Sequence, residues 1–191
     1  MTVYRVKGNV RQYKSLSLNS IDLAQQLNRL DALTTLVNFP SLNAPLRPMW
    51  GDVSAIFTAE SKTAVEKPDL ITWASGALYM SISAYELLRR RLEHEGEFLP
   101  VSVEGDPGYI FNNLALAKED PDYTVNRYFD GEKVGLEHLE FDRRDLERRM
   151  LFKSEREGCG TLYCTEEFKE LCEMNNLNGL IFDEKLLNPF V

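Results

Sequence analysis

Apolar residues recur along this chain first at a spacing of two and then at three to four, and the switches between the two periods set out its elements. Val3 to Lys7 and Val10 to Leu18 are β-rich. Gly8-Asn9 between them suits a tight turn because both residues tolerate positive φ, so the pattern predicts an N-terminal β-hairpin. Asn19 or Ser20 can then cap a helix whose Leu23, Leu27 and Leu30 form one apolar stripe, ending before Asn38-Phe39-Pro40. Pro40, Pro45, Pro48 and Gly51 restrict the backbone between residues 38 and 52, which marks a linker or a binding loop.

The pattern resumes with a short strand from Val53 to Phe57, a polar stretch to Lys67, and a β-rich segment from Asp69 to Met80 broken by a turn or bulge at Ser75-Gly76. Ser83 and Glu86 have capping-box spacing ahead of a helix with Ala84, Leu87, Leu88 and Leu92 on one face. Arg89, Arg90 and Arg91 complement the dipole of its later turns, and Gly96 can end it. Strands are expected at Phe98 to Val103 and Tyr109 to Leu116, then at Thr124 to Phe129 joined through Asp130-Gly131 to Val134 to Phe141. A mixed-charge segment, Arg143 to Arg149, precedes short strands at Leu151-Phe152 and Leu162-Tyr163. A last helix runs from a Thr165 cap through Phe168, Leu171 and Cys172 to a stop at Asn178-Gly179, before a strand at Leu180 to Phe182. Strands and helices intersperse without a βαβ rhythm, which predicts an α+β fold: a mixed, mostly antiparallel sheet with about three helices packed on it. Residues 1–65 read as an elaboration (hairpin, helix and Pro-rich loop) ahead of a core at 66–191, the two forming one compact unit.

Composition narrows the class. With 191 residues, 43% of them hydrophobic, the chain can bury one substantial core or two small ones. No apolar run approaches the roughly 20 residues that span a bilayer, and the first residues lack the apolar stretch of a secretory signal, so no membrane partner is expected. Three cysteines, Cys159, Cys164 and Cys172, fit reduced thiols and a cytoplasmic location. A formal charge of −8 argues against nucleic acid as a partner. Between Glu93 and Asp122 eight acids face one base, Lys118, for a net −7. This stretch reads either as a solvated face or as a surface that steers a basic partner. Trp50, beside Met49 in the Pro-rich loop, reads either as an exposed anchor for a partner or as a lid over the core.

Candidate chemistry is sparse. His94 lies near the end of the arginine-bearing helix, where the dipole accounts for it. His138-Leu139-Glu140 begins like a zinc deaminase, but no Pro-Cys-x-x-Cys follows. Cys159, Cys164 and His138 define the alternative function, a small metal- or thiol-dependent enzyme or ligand-binding domain, although their spacing matches no zinc pattern. No catalytic residue, metal or cofactor is expected on the main reading.

Several features together resemble a known family. They are Pro68-Asp69 leading into a β segment with Ser83 opening a helix, the EFLPVSV strand, the strand from Tyr109 to Ala117 ending in Glu119-Asp120, Phe141-Asp142 after the hairpin, and the closing LYCTEEFKELCEMNNLNGLIF. Over about residues 66–187 the chain is similar to the bacterial polymorphic-toxin immunity proteins of family eleven, formerly a family of unknown function. The resemblance implies a cytosolic, non-catalytic antidote that binds a cognate toxin or effector encoded beside it and used between competing bacteria. On that expectation the partner-binding candidates are Glu104, Asp106, Glu119, Asp120 and Asp122, with Trp50 and Tyr109 as aromatic anchors. A homo-oligomer is not indicated.

Overall fold

The computed structural model describes residues 1–187. In chain order the elements are β1 (Val3–Gly8), β2 (Ser15–Ser17), α1 (Ser20–Gln26), α2 (Leu33–Asn38), β3 (Ser54–Thr58), β4 (Leu70–Trp73), β5 (Ala77–Ser81) and α3 (Ile82–Leu92). They continue with β6 (Gly96–Val103), β7 (Asp106–Asn113), β8 (Val125–Phe129), β9 (Glu132–His138), α4 (Arg143–Leu146), β10 (Leu151–Phe152), β11 (Tyr163–Thr165), α5 (Glu166–Met174) and β12 (Leu180–Asp183). The fold is α+β. Its strands divide among three sheets: β2-β3-β6-β7-β5-β4, β10-β11-β1-β12, and the pair β8-β9. Pairing within them is antiparallel except between β3 and β6. Among the described residues no helix is long and apolar enough to cross a membrane.

The six-stranded sheet is covered on both faces, and the period-two alternation of its strands sorts side chains between two cores. Ala77 and Tyr79 of β5, Ile110 of β7 and Leu99 and Val101 of β6 pack with Leu23, Leu36, Phe39 and Leu46 of the N-terminal layer. Leu78 and Met80 of β5 and Phe111 of β7 face the other way, against Leu88 and Leu92 of α3, Phe168 of α5, and Tyr4 and Val6 of β1. A central strand buried on both sides explains why Ala77-Leu78-Tyr79-Met80 is apolar throughout. A third cluster, formed by Leu136, Leu139, Phe141, Leu146, Phe152 and Tyr163, roots the β8-β9 hairpin.

Several local expectations are revised. The N-terminal hairpin does not form. β1 pairs with β11 and β12, whereas β2 pairs with β3 in another sheet. Gly8 serves close packing instead of a turn: a Cβ there would lie 2.8 Å from both Ile71 Cδ1 and Thr72 Oγ1. Backbone pairing thus crosses residue 65 through β1, through the β3-β6 ladder and through the Tyr13↔Glu66 bridge. The first helix stops at Gln26, with Asn28 at φ 53°, so Leu30 leaves the stripe and is exposed. The cap of α3 is Ser81, whose hydroxyl accepts from the Ala84 N–H, two residues before the Ser83 expected from the capping-box spacing. Leu87 lies outside its buried face. The strands β6 and β7 form a hairpin through Glu104 and Gly105, both at positive φ, the geometry of a primed turn. The Asp130-Gly131 turn has the same geometry and forms where the sequence places it.

Two glutamates lock loops onto the β6-β7 hairpin from inside. Glu97 accepts from the backbone N–H groups of Leu46 and Arg47 and from Asn112 Nδ2, tying the Pro-rich loop to the sheet. Glu95 accepts from the N–H groups of Met150 and Leu151 at the start of β10. Burial pushes the Glu95 carboxyl up to about 7, outweighing those two hydrogen bonds.

Candidate functional site

The acidic stretch from Glu93 to Asp122 does not form one surface. Glu95 and Glu97 are buried. Glu104 and Asp106 flank the β6-β7 turn and share Lys67, whose ammonium holds the Glu104 carboxyl below its usual range. Glu119, Asp120 and Asp122 lie beyond the opposite end of that hairpin, where Gly96 faces Asn113. The eight-residue ladder puts about 23 Å between its two ends at roughly 3.3 Å per residue.

The aromatic candidates are largely engaged within the fold. Trp50 is half-buried against the N-terminal core, and its Nε1–H donates to the Pro100 carbonyl at 2.8 Å, the arrangement of a lid. Tyr109 stacks on Tyr85 with ring centroids 3.7 Å apart, and the Arg89 guanidinium lies over Tyr85.

Glu119, Asp120 and Asp122 are instead joined to a surface that the sequence reading did not single out. The Asp120 N–H donates to the Glu140 carbonyl, Glu119 bridges to Phe141, and the Thr124 hydroxyl donates to Glu140 O. These bonds fasten the acidic loop to the root of the β8-β9 hairpin. From there Tyr123, Val125, Tyr128, Phe129 and Val134 face solvent, with Phe129 75% exposed beside the turn. Residues 119–142 hold eight acids and two bases, so this region carries a net −6 of the chain's −8. Among the described residues the exposed large apolar side chains elsewhere are spaced more widely along the chain; here five lie within twelve residues. The signal was present in the sequence: Val125, Tyr128, Phe129 and Val134 do not alternate in step with their polar neighbours, as a strand with one buried face requires.

The residues of the alternative function are dispersed. Cys164 and Cys172 sit in the core between β11 and α5, where burial raises both thiols, Cys172 to about 12. His138 is exposed at the end of β9, with Nδ1 2.9 Å from the Tyr123 carbonyl. Among the described residues no three His, Cys, Asp or Glu side chains are placed to hold a metal ion. Cys159 is buried in its turn near Lys153, a fully buried lysine that sequence reasoning missed. The Lys153 Nζ has no hydrogen-bond partner among the described residues, and burial pushes the amine down to about 8.

No protein-family model and no curated protein matches the chain.

Proposed function

We propose that this chain is a non-catalytic, cytosolic immunity-type protein that binds and neutralises a toxin encoded beside it. The observation that carries the reading is the acidic, aromatic β8-β9 hairpin with its adjoining loop. Exposed Tyr and Phe side chains offer apolar anchors that cost little rotamer entropy to fix, and the surrounding carboxylates favour approach to a basic surface. The resemblance over residues 66–187 supplies the toxin-neutralising context. An inhibitor of this kind depends on slow dissociation, which buried anchors provide, and on fast association, which complementary charge provides.

The test is co-expression with the product of the adjacent toxin gene, followed by co-purification and a survival assay. Rescue with a stable complex is expected. Tyr128→Ala combined with Phe129→Ala should weaken that complex by at least about 30-fold, because anchor truncations typically cost about 2 kcal/mol or more. Replacing Asp122, Asp130 and Glu132 with Lys should slow association and flatten its salt dependence. A folded chain that gives neither rescue nor complex refutes the proposal.

A further inference from the structure

The β8-β9 hairpin forms a two-stranded sheet of its own, so the outer edge of β9 is not paired with another of the named strands. Two-stranded hairpins are marginal in water and gain from a third strand. Along β9 runs a cleft of about 600 Å³. Its near wall is Val134, Gly135 and Leu136, three consecutive residues, as when a strand presents its edge and not one face. Its far wall is the run Arg5 to Gly8 of β1. β1 pairs with β11 only through Val3, Tyr4 and Arg5, so the Lys7-Gly8 end of that side lies beyond the ladder. The turn at Ala74–Gly76 and the segment Gly160–Leu162 also line it.

Glycine recurs around the cleft at residues 8, 76, 135 and 160. Gly160 is not required by packing: a Cβ there would meet only the Glu157 carboxylate, at 3.7 Å and beyond. A bare backbone wall suits the close approach of a second backbone. Charge selects the occupant. The hairpin whose Val134, Gly135 and Leu136 line the cleft belongs to the region of net −6 at residues 119–142, and of the two bases that line the cleft Lys7 is paired with Asp183 and Arg5 lies near Glu157. Glu157 lines the cleft, and its Oε2 is buried with no hydrogen-bond partner among the described residues.

We infer that this cleft receives an extended, basic segment of the partner protein, which pairs with the edge of β9 that no other named strand occupies, adding a third strand and giving a donor to Glu157 Oε2. The inference rests on the binding reading above and specifies its geometry. It assigns Gly135, Glu157 and Gly160 to recognition, together with the edge of β9.

Amide hydrogen exchange of the chain alone and with the adjacent-gene toxin tests it. In the complex, amides of residues 132–138 should slow by at least tenfold. Gly160→Phe, which fills the cleft, should weaken binding at least tenfold with little change in thermal stability. Val134 opposes no residue, because the register passes from Arg127↔Gly135 to Tyr128↔Lys133. Val134→Pro removes a backbone N–H from a residue that lines the cleft and should weaken binding similarly, which covers the case in which the Phe variant misfolds. A complex that forms with β9 unprotected, or with wild-type affinity in both variants, overturns strand addition and leaves the binding reading standing. Failure of the wild-type chain to form any complex overturns the binding reading, and strand addition with it.

Discussion

Replacing Lys153 with Met should stabilise the protein. Lys153 is fully buried, its Nζ lacks a hydrogen-bond partner among the described residues, and burial lowers its amine from 10.5 to about 8, partly countered by the nearby Cys159. That drop corresponds to roughly 3 kcal/mol of cost for keeping the ammonium charged in the fold at pH 7. The sign follows from the direction. A depressed folded-state value favours the neutral amine, so its contribution is complete above pH 10.5, is lost as pH falls through about 8, and is absent at neutrality. Met has a similar length and no charge to desolvate, so it fills the same space without that cost. Expected at pH 7 is a gain approaching 3 kcal/mol, equivalent to roughly 6–12 °C in Tm for a domain of this size. Urea denaturation followed by circular dichroism at pH 7, 8, 9 and 10.5 measures it, with coincident fluorescence transitions checking two-state behaviour. The wild-type protein should lose its relative deficit as pH rises through that series, and the two curves should converge. A Met variant no more stable at pH 7, together with parallel pH profiles, would refute the argument and mean that the ammonium is satisfied where it sits.

Glu95 predicts the opposite pH trend. Its carboxyl is raised from 4.5 to about 7, so its stabilisation is present below pH 4.5 and lost as pH climbs through 7. Glu95→Gln should flatten this loss, compared by urea midpoints at pH 5 and 7.5, while lowering stability at pH 5 by about 1–3 kcal/mol because one acceptor for Met150 or Leu151 disappears. Gly179→Ala should destabilise by more than about 2 kcal/mol, since φ is 103° and the new Cβ would fall 2.0 Å from the Leu70 carbonyl oxygen. A midpoint within error of wild type would show that this turn can shift away from β4.

Much of the local structure was legible because it depends on a few neighbouring residues. Asp130-Gly131 makes its turn since the left-handed conformations it needs are cheap for those two residues. Thr165 precedes the last helix as expected, yet its hydroxyl donates to the Arg149 carbonyl instead of capping, a long-range partner that no spacing discloses. Gly8-Asn9 carried the same turn chemistry as Asp130-Gly131 and formed no hairpin. The Gly8 position is used to bring β1 close to Ile71 and Thr72. The choice of Ser81 over Ser83 as cap follows from where β5 ends its pairing with Gly108.

The candidate surface was half legible. Glu119, Asp120 and Asp122 were identifiable from charge, but the aromatic residues beside them read as strand residues awaiting a core. Burial separates the two cases, and burial is a property of the assembled sheets. For the same reason eight acids in thirty residues became one at the end of α3, two interior clamps, a turn paired with Lys67, and a distant loop.

By itself the sequence determined the α+β class, most of the order of its elements and the Asp130-Gly131 turn, because hydrophobic period and backbone preference act over a few residues. Only the tertiary structure decided that β1 joins β11 and β12, that the β8-β9 hairpin forms a separate sheet with its aromatic residues in solvent, and that the Lys153 amine is buried without a hydrogen-bond partner among the described residues. Those outcomes depend on contacts between residues far apart in the chain, where the same apolar pattern satisfies many alternative pairings and only the packed arrangement selects one.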